Sequence, residues 1–194
     1  MKRKSLDRRI GLLCLLALLL LSPAVMAKVR LPRLVSDKMV LQRDVELNIW
    51  GWASAGEKVT VRFNGAYYET EANSNGEWSV LLPPQKAGGP YLLEVNELKV
   101  RDVLVGDVWL CSGQSNQETP IVRLVDKFPE INVSNNHMIR HYKVPTQETT
   151  DGVQQEIAGN AVWHSGVASE VLNWTALAYF YAQEAYAKTK VPQG

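Results

Sequence analysis

Ser115 lies in the string Ser112-Gly113-Gln114-Ser115-Asn116, directly after the apolar run Val108-Trp109-Leu110-Cys111. Apolar character on consecutive residues suits a strand buried on both faces, as in a parallel α/β sheet. A serine just past the carboxyl end of such a strand sits where open α/β sheets place their ligands. Gly113 would let the backbone turn sharply. A helix starting after Ser115 would aim free N–H groups at developing negative charge. These are the needs of a serine nucleophile, with Gln114 and Asn116 as candidate substrate contacts beside it. The same residue types also make an ordinary strand-to-loop turn. The string is not the Gly-x-Ser-x-Gly elbow, because Gln117 stands where the second glycine would be.

Other chemistry is sparse. The three histidines, His137, His141 and His164, have no paired-histidine or cysteine spacing around them, so no metal site is expected. None of them is pointed at Ser115 by any pattern, and a structural role is expected for each. Cys111 reads as a small core hydrophobe. No cofactor is implied.

Residues 1–27 read as a cleaved export signal. Lys2, Arg3, Lys4, Arg8 and Arg9 form a basic start, Ile10 to Leu21 is nearly all apolar, and Ala27 suits cleavage after it. The apolar run is too short to span a bilayer of ~30 Å. A periplasmic or extracellular protein is expected, with no membrane contact after cleavage. Removal would leave 167 residues with 16 basic and 19 acidic side chains, a net charge of −3. Such a balance, with no basic stripe, argues against nucleic acid as a partner. Only Cys111 would remain of the two cysteines, so no intramolecular disulfide is possible.

Two regions must position the serine. Over 28–100 the pattern has a period of two, as in Val45-Leu47-Ile49, Val59-Val61-Phe63 and Trp78-Val80-Leu82. Short strands with turns between them predict an antiparallel β-sandwich, and Asn75-Gly76 is the strongest hairpin signal. From 101 to 194 the reading is the opening of an α/β domain. A loop-rich stretch follows Ser115, then a helix from about 173–175 to Lys190 with Trp174, Leu177, Ala178, Tyr181 and Ala185 on its packing stripe. One strand and one helix cannot bury a parallel sheet, so this second domain is expected to be incomplete.

Residues 106–116, Gly-Asp-Val-Trp-Leu-Cys-Ser-Gly-Gln-Ser-Asn, closely resemble the first sequence block of the sialate O-acetylesterases, a branch of the SGNH hydrolase superfamily. Ser36-Asp37-Lys38-Met39-Val40-Leu41-Gln42-Arg43 upstream, and Ile139-Arg140, Trp174 to Phe180 and Val191-Pro192 downstream, resemble further landmarks. The resemblance covers nearly all of the chain after residue 27. Gln117 departs from it, since the family commonly has Met there. The resemblance implies a flavodoxin-like parallel-sheet hydrolase domain. It also implies an O-acetylated sialic acid, or another acetylated glycan, as substrate. Ser115 would be the nucleophile and its N–H one oxyanion donor. The family's Asp, His and remaining oxyanion donors match no residue present, so a fragment inactive on its own is expected. Two other readings stay open. One is another ester hydrolase of this superfamily, such as an acetylxylan esterase. The other is a glycan-binding β-sandwich carrying an esterase remnant, with Trp50, Trp52, Trp78, Tyr67 and Tyr68 as a stacking platform. Oligomeric state is not legible.

Overall fold

The structure, a computed structural model, describes residues 28–150 and 152–194, and the expected export signal lies outside the described residues. The first part is built from strands β1 (Val40–Gln42), β2 (Leu47–Trp52), β3 (Lys58–Phe63), β4 (Ala66–Glu71), β5 (Glu77–Leu82), β6 (Gly88–Val95) and β7 (Leu98–Gly106). The alternation reads through into burial. Leu47 and Ile49 are buried with Asn48 exposed between them, and Val59, Val61 and Phe63 point inward from β3. Five strands form one sheet in the order β1-β7-β6-β3-β4, and β2 and β5 form a separate ribbon. Both contribute to a single core, where Ile49 and Leu82 of the ribbon pack with Val61, Phe63, Leu93 and Val103 of the sheet. Each such side chain, fully removed from water, stabilises the fold by about 1.5–3 kcal/mol before entropy is counted.

This part is not the wholly antiparallel arrangement the sequence suggested. β1 runs parallel to β7, pairing Val40 with Leu104, so the five-stranded sheet is mixed. The two-residue hairpin is also elsewhere. Asn64-Gly65, both at positive φ, closes β3 onto β4, with Phe63 opposite Ala66. Positive φ at both central residues is what this tight hairpin requires, and Asn-Gly supplies it at least cost. Asn75-Gly76 makes a turn too, but it joins β4 to β5, which belong to different sheets.

The second part holds β8 (Asn135–Tyr142), β9 (Trp163–Val167), a single helical turn α1 (Ala168–Val171) and helix α2 (Ala176–Thr189). β8 separates two cores by simple alternation. Met138 and Tyr142 pack against the first core, whereas Ile139 joins Ile121, Ile131, Val171, Trp174 and Tyr179 in a second. Thr175 caps the start of this helix and Lys190, which adopts left-handed backbone, caps its end. Its packed face differs from the expected stripe. Ala176 and Tyr179 are buried, while Leu177 and Tyr181 are 60% and 48% exposed. The segment is apolar on more than one side, so periodicity alone could not choose the face.

The chain's last residues return to the middle of the fold. Gln193 bridges in parallel to Asp107 on one side and Ile139 on the other. Its N–H donates to the Met138 carbonyl and its carbonyl accepts from Arg140 N, each at 2.8 Å. Three segments thus lie side by side in parallel, in the order 107, 193, 139. Gly106 permits this approach, because a Cβ there would lie 2.1 Å from the Pro192 carbonyl oxygen.

Candidate functional site

Beyond Asp107 the chain runs extended for a few residues. Trp109 N donates to the Gly194 carbonyl at 2.9 Å, and Val108 N donates to the Gln42 side-chain oxygen at 2.8 Å. The expectation of a strand buried on both faces is not met. Leu110 is 93% exposed, and Val108, Trp109 and Cys111 are exposed as well. Residues 192–194 flank the segment, and among the described residues no layer lies over it. Cys111 is therefore not a core residue. What burial it has pushes its thiol above the usual range.

Trp109 is nevertheless held. Its indole N–H donates to Gln193 Oε1 at 2.9 Å, and its ring meets Tyr181 edge-on at 5.0 Å. Gln193 is completely buried, and its Nε2 donates to the Val191 carbonyl at 2.8 Å. Both ends of the amide are satisfied, as a buried amide requires.

Ser115 lies on a turn, not at the start of a helix. Gln117, Glu118 and Thr119 donate their N–H groups to the carbonyls of Gln114, Ser115 and Asn116, one after another. Gln114, Ser115 and Asn116 are all exposed. The turn is brought together there, and it is anchored from behind. The Thr175 hydroxyl donates to the Gln117 carbonyl, Gln117 Nε2 reaches the same hydroxyl at 3.4 Å, and Ala176 N donates to the Thr119 carbonyl at 2.9 Å. The helix cap residue Thr175 therefore clamps the turn that carries Ser115. Gly113 matters by lacking a side chain, since a Cβ there would come within 3.1 Å of Gln117 Cβ. Its own φ is not left-handed, so the sharp turn expected of it is really a close approach. Gln117, noted in the sequence only for its departure from the family pattern, is the residue through which the turn is fixed.

No histidine reaches the serine. His137 is exposed on β8. His141 stacks on Trp174, ring centroids 4.9 Å apart, with its Nδ1 buried and without a partner among the described residues. Burial, then the nearby His164 and Lys143, pushes its pKa down to about 4, so it is neutral at pH 7. His164 Nδ1 lies 3.3 Å from Glu170, which also accepts from Ser165 N at 2.8 Å and Lys38 Nζ at 3.1 Å. Burial pushes the Glu170 carboxyl upward, but these partners outweigh it and hold it below the usual carboxylate range. Among the described residues, no histidine or carboxylate hydrogen-bonds the Ser115 hydroxyl, and no three potential ligands gather as a metal site.

A mixed sheet leading into parallel segments, with an exposed serine turn at the end of one of them, defines the class: the chain is built like a carbohydrate acetylesterase. The structure of such an enzyme from Xanthomonas citri superposes with a TM-score of 0.82 at 39% identity, over 86% of this chain and 39% of that one. More particularly, the chain is a relative of the sialate O-acetylesterases, as the block at 106–116 indicated. The rat protein is 32% identical over 139 residues, 64% of this chain. The human one is 29% identical over 182 residues, 82% of this chain. The chain spans 26% and 35% of the lengths of these two relatives. No family model matches it.

Proposed function

We propose that this chain carries the nucleophile of a serine carbohydrate esterase that removes O-acetyl groups from sialic acid. The observation that carries the reading is the Ser115 turn: exposed, clamped by Thr175, and set in a sequence block like that of the sialate O-acetylesterases. The Ser115 amide donates to no backbone carbonyl among the described residues, which leaves it free to receive an oxyanion. In the reaction, Ser115 Oγ bonds to the acetyl carbonyl carbon while a base accepts its proton. The tetrahedral intermediate then collapses, the sugar oxygen leaves with a proton, and water hydrolyses the acetyl-enzyme. Gln114 and Asn116, exposed on either side of Ser115, are the substrate contacts in this reading. A serine hydroxyl without a base is a weak nucleophile. None of His137, His141 and His164 supplies one, so the reading requires a base from outside the described residues.

Two assays test this. Acetate release from O-acetylated sialic acid, measured on the protein read from the full gene, is expected to fall at least ~1,000-fold in Ser115→Ala. Unchanged turnover in that variant would overturn the assignment. The 194-residue chain alone is expected to release acetate at the uncatalysed rate. Ser115-dependent release by it would show that a base is present after all. The same reading includes export directed by residues 1–27 and a division into a β-domain and the opening of an esterase domain near residue 100.

A further inference from the structure

The five aromatic residues that suggested a stacking platform do not form one. Trp78 is buried in the first core, and Tyr67 and Tyr68 stand on β4 in the other sheet. Trp50 and Trp52 remain together. They lie two apart on β2, on the face opposite Leu47 and Ile49, and meet edge-to-face with centroids 5.2 Å apart at 75°. They line a cleft of about 650 Å³ whose further walls include Ser79, Asn48 and Gln155. We infer that this cleft is a second, non-catalytic binding site, and that it takes an uncharged sugar ring.

Three features select that ligand. Half-buried Trp50 offers apolar ring surface to the C–H face of a sugar, with Trp52 meeting it edge-to-face and keeping one ring face under Arg30, and a volume of this order is that of a small-molecule site. Exposed Asn48, Gln155 and Ser79 supply amide and hydroxyl groups, the donors and acceptors that sugar hydroxyls need. Ser79 stands directly opposite Trp50 in the ribbon register, so stacking and hydrogen-bonding groups face one ligand. The charged residues lining the cleft are Glu71 and Glu77, with no Lys, Arg or His. An anionic sugar such as sialic acid is therefore repelled, which separates this site chemically from the one assigned to Ser115. The nearby Arg30 does not reverse this. It lies over the Trp52 ring at 3.7 Å and is bound to Glu156 at 2.7 Å.

The test is a tryptophan-fluorescence titration of the 194-residue chain with galactose, N-acetylgalactosamine and lactose, and with free sialic acid for comparison. Saturable change is expected with at least one neutral sugar, with a dissociation constant in roughly the millimolar range, and none with sialic acid. Ser79→Arg fills the cleft from an exposed position and is expected to weaken binding at least tenfold. Trp50→Ala should do the same and Trp50→Phe much less, with circular dichroism confirming that each variant folds. Ser115→Ala is expected to bind as the parent does. Absence of saturation with every neutral sugar, or binding unchanged by Ser79→Arg, would refute the site. Neither result bears on acetate release, so the esterase reading stands or falls separately.

Discussion

The residues nearest the candidate nucleophile act mainly by what they hold in place. Among the histidines, His141 is the one whose environment departs most from water. Its ring lies against Trp174, and its buried Nδ1 has no partner among the described residues. The folded protein therefore favours the neutral ring, with a pKa of about 4 against about 6.5 when unfolded. The sign follows directly. Above pH 6.5 neither state binds this proton, so the full stability is present there. Between pH 6.5 and 4 the unfolded chain takes up the proton and the folded chain does not, so stability falls as pH falls, by of order 3 kcal/mol. His141→Phe keeps an aromatic ring against Trp174 and removes the titration. Urea unfolding at pH 7 and pH 4.5 should show a smaller loss in this variant than in the parent by roughly 2 kcal/mol or more. Equal losses would mean that His141 titrates normally. Glu170 also loses stabilising partners on acidification, but it does so equally in both proteins.

At the scale of elements, the serine turn and the start of α2 form one unit. Thr175 caps the helix in extended backbone while its hydroxyl holds Gln117. Thr175→Val preserves shape and removes the hydroxyl, leaving the Gln117 carbonyl and Nε2 without this partner. A loss of about 1–2 kcal/mol is expected, together with faster amide exchange at 117–119 than in the parent. Unchanged exchange there would show that the clamp is not what orders the turn. This clamp was not legible in the sequence, because it joins residues nearly sixty positions apart, and a sequence landmark such as Trp174 to Phe180 does not say which distant carbonyl its threonine meets. The strands of the first part were legible, since alternation in Leu47 to Trp52 and Lys58 to Phe63 reports burial on one face directly. The block at 106–116 was legible as a family resemblance. Its setting was not: consecutive apolar residues imply cover on two faces, yet cover is a property of other segments, and Leu110 is exposed. The packed face of α2 failed for a related reason, as Leu177 and Tyr181 are as apolar as Tyr179. Buried Gln193 gave no signal at all, because an amide enters a core only where non-local partners satisfy it.

At the scale of the whole molecule, the two cores are joined through Arg140. Its side chain is 2% exposed, and its guanidinium donates to Ser165 on β9 at 2.6 Å and to Asp102 on β7 at 2.9 Å. Among the described residues the Nε has no partner and Asp102 is the carboxylate that pairs with the guanidinium. Asp102 itself is 40% exposed and sits at positive φ, which Asn tolerates as well. Asp102→Asn therefore removes the counter-charge without disturbing the backbone and leaves a buried cation beside a hydroxyl and an amide. Removing one partner of a buried pair costs about 3–5 kcal/mol, and the exposure of Asp102 places this case toward the lower end. The loss should fall at the seam between the two parts. The parent is expected to unfold in one transition followed alike by circular dichroism and tryptophan fluorescence. In Asp102→Asn the second core, with Trp174, should loosen first and the two probes should separate. Arg140→Met removes the buried charge as well as the pair, so it should recover part of the stability lost in Asp102→Asn. If the two variants are equally destabilised, the uncompensated charge is not the origin of the cost, and the seam is held by the backbone pairing of Gln193 between Asp107 and Ile139 instead.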